Sequence, residues 1–367
     1  MCGNATFRGT RLLPRKFKVE SVGNHTVHIN LVLFLVCVFE GCLASQSQNV
    51  LAQESNQDPT SRDPASQEAT PVKGDASADQ STRINLPFKT YGGTQFWTDH
   101  LHKQGYRIQS NWMTNHWRLL DGADIRRAWG TREQCDTVLD QLLTNVSPDP
   151  ESKEYVVLLH GLMRTHQSMR SMQQALQKAD CGKVIRFSYA STRRTIGDHA
   201  DALQEVLAGF PEDVQISFVA HSMGNIVVRH LIADLEKNGD PAGLLERFRR
   251  MVMLGPPNQG AAIARRLSYT GLLGVVAGKG ALELGPKWNE LVGNLAVPSF
   301  PFAIIAGDLS EKKIRNPILG GASDFVVQVE ETHLEGRASF ATVPVLHTTL
   351  MKDETTQRLV IEFLQSQ

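Results

Sequence analysis

The chain has 367 residues, of which 41% are hydrophobic and 21% charged, a composition typical of a globular protein with a sizeable core. Lys and Arg together number 38, as do Asp and Glu, so no excess of charge indicates a nucleic-acid partner. We find neither a Cys and His cluster of the metal-binding type nor a phosphate-binding glycine loop, and we predict no metal and no cofactor. These features favour a small or apolar ligand.

The first 44 residues have the pattern of an export signal. Basic residues precede the apolar run 29–39, which is shorter than the roughly 18 residues that a membrane-spanning helix needs. We therefore expect a signal peptide or membrane-targeting segment, cleaved after Ala44 or Ala52, and a protein that is periplasmic or secreted. Anchoring by an uncleaved segment or by a lipid on Cys42 stays open.

Two segments of different character follow the signal. Residues 45–87 contain no aromatic residue and are rich in Ser, Gln, Asp and Ala, which predicts a disordered linker. Residues 88–150 hold four of the five tryptophans, and these rings either form an aromatic binding surface or pack an N-terminal extension against the main domain. We favour packing, and we predict that a helix in this extension begins after Thr131 as its N-cap.

Two cysteines, Cys135 and Cys181, remain if the signal is removed. An oxidising compartment permits a disulfide between them, but cysteines in separate segments are as often unpaired and buried. The sequence leaves both states open.

Over residues 151–367, strands of buried type alternate with amphipathic helices. Runs such as "EYVVLLHG" and "VQISFVA" are almost continuous in apolar residues, as in strands covered on both faces. The alternation predicts an α/β fold with a mostly parallel central sheet and helices on both faces. In such open sheets, ligands bind beyond the carboxyl ends of the strands.

The stretch "VAHSMGN" at 219–225 places Ser222 between a buried strand and a helix. A sharp strand-to-helix turn of this kind exposes a serine hydroxyl as a nucleophile, and it needs small residues two positions before and after the serine. Ala220 and Gly224 meet that need, although glycine is usual at the first position. The alternative is a serine that only caps the following helix, and the buried strand before it favours the nucleophile.

A serine nucleophile needs a base within hydrogen-bond reach and an acid that orients the base. In this architecture both follow the serine in the chain, the acid first. We predict His347 as the base because it follows the strand-like run "ATVPVL", whereas His333 lies in a polar stretch. For the acid, Asp308 follows a strand and Asp324 lies in a Gly-rich loop, and the local sequence hardly separates them.

Ester chemistry also requires two backbone N–H groups for the developing oxyanion. The residue after the nucleophile supplies one, and a loop after an earlier strand supplies the other. These positions are Met223 and, in "LLHGLMRT", Leu162, where Gly161 lets the chain turn close to the site.

Together these motifs resemble the α/β-hydrolase superfamily, and within it the bacterial lipases and esterases. "VAHSMGN" is similar to the Ala-x-Ser-x-Gly turn of some small bacterial lipases, and "LLHGLMRT" to their oxyanion loop. "LGPPNQG", "SDFVVQVEETHLEG" and "LHTTLM" resemble their turn after the next strand and the segments around their acid and histidine. Phe325 stands where the glycine after the acid is usual.

The resemblance implies an α/β-hydrolase fold with a defined set of site residues. Ser222 would be the nucleophile, Asp324 the acid and His347 the base, with the N–H groups of Leu162 and Met223 as the oxyanion hole. It does not extend to residues 88–150.

The resulting expectation is a serine carboxylic-ester hydrolase that acts through an acyl-enzyme on lipid or other hydrophobic esters. Transient contact with a membrane surface is compatible with such substrates. An acyltransferase with the same triad and a catalytically silent binding protein on this fold are the alternatives. The segment 261–285 lines an acyl pocket or moves as a lid, or else it packs in the core.

Overall fold

The computed structural model describes residues 88–89, 95–144, 146, 152–269 and 273–366. The predicted signal segment, 1–44, and the predicted linker, 45–87, therefore lie outside the described residues. In the described ranges, no helix has the length and apolar character needed to cross a membrane.

Strands and helices are numbered in chain order. The strands are β1 (Phe88–Lys89), β2 (Trp97–Lys103), β3 (Tyr106–Asn111), β4 (Trp117–Leu120), β5 (Ile125–Gly130), β6 (Glu154–Leu159), β7 (Lys183–Phe187), β8 (Gln215–His221), β9 (Phe248–Leu254), β10 (Phe302–Gly307) and β11 (Ser339–Val343). The helices are α1 (Arg132–Leu143), α2 (Arg170–Lys178), α3 (Ile196–Ala208), α4 (Met223–Asn238), α5 (Leu244–Arg247), α6 (Ala262–Ser268), α7 (Leu273–Leu284), α8 (Trp288–Leu291) and α9 (Glu354–Gln365).

The central sheet has six strands in the order β11-β10-β9-β8-β6-β7, and every neighbouring pair is parallel. The predicted parallel sheet is confirmed. The chain passes from β6 outward to β7 and then returns to place β8 on the other side of β6. This reversal makes a switch point, where the loops leaving β6 and β8 diverge and open a crevice at the carboxyl ends of both strands.

Helices cover both faces of this sheet, as the sequence predicts. Successive residues of a strand point to opposite faces, and in β6 Val157 and Leu159 belong to a core that includes residues of α3 and α4. Val156 and Leu158 belong to a second core with residues of α2 and α9. Both faces of β6 are therefore buried, which explains its continuous apolar sequence.

The last strand is shorter than the sequence suggests. The run "ATVPVL" reads as strand up to Leu346, but β11 ends at Val343. Pro344 follows it, and proline has no N–H to donate to a neighbouring strand. His347 then begins a short 3₁₀ helix, His347–Lys352.

The N-terminal extension is a five-stranded antiparallel sheet in the order β1-β5-β4-β3-β2, with α1 packed against it. The predicted start of α1 is confirmed, because Thr131 and Gln134 form a reciprocal capping box. Cys135 lies in the apolar cluster beneath this sheet and Cys181 in the core, and both are unpaired and buried.

The tryptophan rings pack mainly within the extension rather than on the main domain. Trp97 contacts Trp129 edge to face, with 5.5 Å between ring centroids, and the Arg118 guanidinium lies 3.9 Å from the Trp97 ring centroid. Trp112 does reach the main domain, where the Arg193 guanidinium lies 5.3 Å from its ring centroid. The expected packing on the main domain is thus only partly right.

Asp99 of β2 joins the extension to the edge of the core. Its N–H donates to the Ser188 carbonyl at 2.8 Å, and the Ser188 N–H donates to Asp99 Oδ2 at 2.7 Å. The carboxylate is fully buried, which by itself raises its pKa, but His102, Arg107 and the Ser188 N–H together hold that pKa well below its ordinary value. Gln109 Nε2 also donates to Asp99 Oδ1, at 2.6 Å.

We expect Asp99→Ala to lower the free energy of unfolding by about 3 kcal/mol at pH 7, because it leaves buried donors and cations without their carboxylate. The pKa of Asp99 is lower in the folded state, so its stabilising contribution is present above the unfolded pKa and is lost as pH falls through the folded one. Urea titration of the wild type and the variant at pH 7 and at a series of pH values below the unfolded pKa of about 3.9 checks both statements.

Asp136→Ala is the matched control for Asp99→Ala. Asp136 forms a half-exposed pair with Arg132 on α1, with 41% of its side chain accessible. Its loss should change the free energy of unfolding by less than about 1 kcal/mol. Equal losses for the two variants would contradict the role given to Asp99.

Candidate active site

Ser222 stands on a strained turn between β8 and α4. Its backbone dihedrals are φ 54° and ψ −124°, in a region that residues with a side chain rarely adopt. Three hydrogen bonds hold the turn: the Ser222 N–H donates to the Leu254 carbonyl at 2.9 Å, and Asn225 donates to the Ser222 carbonyl through Nδ2 at 2.9 Å and its N–H at 3.1 Å. Strain held in this way is typical of functional sites.

The small residues around Ser222 allow the close packing that this turn needs. Ala220 is completely buried in the sheet. A Cβ added at Gly224 would lie 2.8 Å from Leu159 Cβ and 2.9 Å from the His160 carbonyl oxygen. Only glycine at this position lets the first turn of α4 approach the end of β6 so closely.

Asp324 and His347 form a buried hydrogen-bonded pair. His347 Nδ1 lies 2.6 Å from Asp324 Oδ2, and the His347 N–H donates to the Asp324 carbonyl at 2.9 Å. Asp324 is 1% exposed and His347 6%. The N–H groups of Val326 and Val327 donate to Asp324 Oδ1 at 3.0 and 2.7 Å. With Nδ1 donating to the carboxylate, the Nε2 of a neutral His347 is free to accept a proton.

The other candidates for acid and base lie elsewhere. Asp308 Oδ1 accepts the N–H of Ser310 at 2.9 Å and so closes a local turn after β10. His333 stacks on Phe340, with 4.7 Å between ring centroids. The local sequence could not separate the two carboxylates. The structure places Asp324, and not Asp308, beside the predicted base, His347.

Phe325 adopts the backbone conformation that a glycine would adopt without strain. Its φ is 82°, in the left-handed region. Asn316 Nδ2 donates to its carbonyl at 2.6 Å and so supports the conformation. The departure from the expected glycine therefore leaves the path of the loop after Asp324 intact.

His221 links the turn at Ser222 to the segment that carries His347. Its Nε2 lies 2.9 Å from the His347 carbonyl oxygen, which can only accept, so Nε2 carries the hydrogen. His221 is 1% exposed, and burial, followed by the charges of His347 and Arg164, holds its pKa well below the ordinary value. Sequence reasoning gave His221 only a packing role, since a carbonyl acceptor 126 positions away leaves no local signal.

The predicted oxyanion loop passes directly against Ser222. A Cβ added at Gly161 would lie 3.0 Å from the Ser222 Cβ. His160 fixes this loop: burial lowers its pKa to about 4, so it is neutral, and its Nδ1–H donates to the Gly161 carbonyl at 2.9 Å. In the part of the chain that the structure describes, neither Leu162 nor Met223 donates its N–H to a backbone carbonyl.

Ser222 and His347 both line one cavity of about 70 Å³, although no hydrogen bond joins their side chains in the described residues. Such contacts are often long when no substrate is bound. Most of the other walls are apolar: Leu162, Pro257, Ile263, Ala277, Ala281 and Leu284. The volume is far below the roughly 300 Å³ of a typical ligand site.

Helix α7 forms one side of this cavity. Ala277 and Ala281 line it and also belong to the main apolar core. The sequence left a pocket wall and core packing as alternatives for this segment, and the structure shows that these two residues do both.

The strand order of the parallel sheet and the strained serine turn after β8 define the α/β-hydrolase fold. A family model described as "Domain of unknown function (DUF7379)" matches residues 120–296. This range includes Ser222 but neither Asp324 nor His347. No curated protein matches the chain.

The chain is similar to several solved structures at low identity. The Bacillus licheniformis lipase BlEst2 in mature form is 17% identical, with a TM-score of 0.46 over 59% of this chain and 94% of that one. Phospholipase PlaB from Legionella pneumophila is 18% identical, with a TM-score of 0.44 over 58% of this chain and 60% of that one. The metagenomic carboxyl esterase MGS0156 is 16% identical, with a TM-score of 0.40 over 56% and 69%.

We expect Gly224→Ala to lower the free energy of unfolding by about 1–3 kcal/mol, because the added methyl group overlaps the end of β6. Gly293→Ala is the control, since nothing lies within 4 Å of an added Cβ there. Thermal and urea denaturation of both variants check this expectation. A Gly224→Ala protein as stable as Gly293→Ala would show that the packing at the turn is looser than described.

Proposed function

We propose that the protein is a serine carboxylic-ester hydrolase with Ser222 as nucleophile, His347 as base and Asp324 as acid. One observation carries the proposal: a buried Asp324–His347 hydrogen bond of 2.6 Å borders the cavity that the strained Ser222 also lines. A nucleophile and a base at one cavity, with an acid that orients the base, are what acyl transfer requires.

In the proposed reaction, Ser222 Oγ attacks the ester carbonyl carbon while His347 Nε2 takes its proton. The N–H groups of Leu162 and Met223 donate to the oxyanion. His347 then gives the proton to the leaving alcohol, and the acyl group stays on Ser222. A water molecule, deprotonated by His347, attacks this acyl-enzyme, and His347 returns the proton to Ser222 Oγ as the carboxylic acid leaves.

Asp324 orients the imidazole in this scheme. Its Oδ2 accepts from His347 Nδ1, while two backbone N–H groups hold Oδ1, so the carboxylate cannot rotate away from the ring. His221 supports the same geometry from the other side through the His347 carbonyl. Together these contacts fix the base relative to the serine.

The substrates we propose are lipids or other hydrophobic esters, since the wall of the cavity is mostly apolar. Contact with a membrane surface and export remain proposals that rest on this substrate class and on the sequence. An acyltransferase would use the same residues with an alcohol or amine in place of water. A silent scaffold would have no need of a strained serine beside a buried acid and base.

Ser222→Ala should abolish hydrolysis of p-nitrophenyl esters, with a loss of at least about 10³-fold in kcat, because no other group replaces the attacking hydroxyl. Esters of graded chain length identify the preferred acyl group. Ser217→Ala, which removes a serine hydroxyl earlier in β8, is the matched control and should keep its activity. Hydrolysis that survives in Ser222→Ala would exclude this nucleophile.

Asp324→Asn should lower kcat by about 10⁴-fold, because an amide no longer holds the catalytic tautomer of the imidazole. Asp308→Asn should leave kcat close to the wild-type value, since Asp308 only closes a turn. Steady-state kinetics on one p-nitrophenyl ester compares the two. A large loss at Asp308 alone would reverse the assignment of the acid.

A further inference from the structure

A second and larger cavity lies away from the proposed active site. It has a volume of about 560 Å³ and lies between the β2–β3 hairpin, residues 102–107, and β7 at the edge of the core. It shares no lining residue with the cavity at Ser222. The N-terminal extension and the core each provide part of its wall.

Basic side chains predominate in this cavity. Its lining contains four Lys or Arg residues: Lys103, Arg107, Lys183 and Arg186. It contains two acidic residues, Asp124 and Glu212, and Asp124 forms an ion pair with Arg107. Behind the hairpin, the buried Asp99 carboxylate is bonded to His102, which also lines the cavity. The lining therefore carries two more positive than negative charges.

Arg186 carries much of this excess. Its Nη1 donates to Gln167 Oε1 at 2.9 Å, a neutral acceptor, and within the described ranges it forms no ion pair with a carboxylate. Burial, followed by the positive charge of Arg107, lowers the pKa of Arg186 to about 10, although the carboxylates of Asp124 and Asp99 act in the opposite direction. A guanidinium that is crowded by like charge and bonded to a neutral amide is well suited to receive an anion.

His166 holds a further N–H group near Arg186, and this group is buried. Because Gln167 Oε1 faces Arg186, its Nε2 donates to His166 Nε2, at 3.0 Å. The hydrogen of the neutral ring is then on Nδ1, which has no partner among the described residues. His166 is 1% exposed and lines the same cavity.

Two aromatic residues line a separate part of the cavity, on the opposite face of the sheet from Arg186. Tyr155 and Phe210 lie there with their rings in contact, 4.9 Å between centroids, and Lys183 Nζ lies 5.3 Å from the centroid of the Tyr155 ring. An excess of two positive charges matches a phosphate monoester, whose charge at pH 7 is about −1.5 to −2.

We propose that this cavity binds a phosphate monoester, with its phosphate at Arg186. The site is independent of the ester chemistry at Ser222. It gives the N-terminal extension a role, because Lys103 and Arg107 of its hairpin complete the basic side of the cavity.

Isothermal titration of the full chain with phenyl phosphate tests this proposal, and saturable binding at one site is expected. Arg186→Gln should weaken the binding by about tenfold or more, because it removes a charge-assisted contact. Arg358→Gln is the matched control: it removes one positive charge from an exposed pair on α9 and should not change the affinity. Lys103→Gln, on the exposed hairpin, should weaken binding as well and provides a second variant should Arg186→Gln fail to fold.

Two further ligands test the specificity for phosphate and the source of the phosphate group. Benzoate carries a single negative charge on the same ring, and binding as tight as that of phenyl phosphate would contradict a phosphate site. Sedimentation with vesicles of phosphatidylcholine, with and without phosphatidic acid, distinguishes a lipid phosphate from a soluble one. Co-sedimentation that depends on both phosphatidic acid and Arg186 assigns the phosphate to a lipid. If the protein does not co-sediment with these vesicles, the phosphate belongs to a soluble ester. No saturable binding of either form, or equal loss in Arg186→Gln and Arg358→Gln, would overturn the proposal.

Discussion

The backbone at Ser222 is held in a conformation that costs on the order of 1–3 kcal/mol for a residue with a side chain. The surrounding structure offsets this cost through the hydrogen bonds to Leu254 and from Asn225, and through the contact of Gly224 with the end of β6. Each of these contacts depends on parallel strands in fixed register. The sheet thus stabilises the strained turn, and the turn directs the hydroxyl toward the cavity.

The same register explains how distant segments meet. Leu159 lies opposite Ala220, and His221 opposite Leu254, so the loops after β6, β8 and β9 leave the sheet at one level. The loops that follow β10 and β11 carry Asp324 and His347 to that edge. A crevice at the switch point between β6 and β8 therefore collects groups from five strand ends.

Much of the parallel sheet and the serine turn could be predicted from the sequence, because strands buried on both faces have a continuous apolar pattern that local reasoning detects. The choice between Asp308 and Asp324 depends on how a loop folds back, and no local pattern contains that information.

The strands of the extension were not predicted. In β2 the first three residues, Trp97, Thr98 and Asp99, are all buried, so hydrophobic and polar residues do not alternate. Asp99 also departs from the rule that carboxylates lie at the surface. Only its hydrogen-bond partners in β3 and after β7 explain why it is buried.

The contact of His221 with the His347 carbonyl has a mechanical consequence. His221 is covalently joined to Ser222, so a displacement of the end of β8 moves the serine and pulls the backbone of the histidine in the same direction. The position of the proposed nucleophile is in this way coupled to that of the proposed base through a hydrogen bond between the side chain of His221 and the backbone of His347.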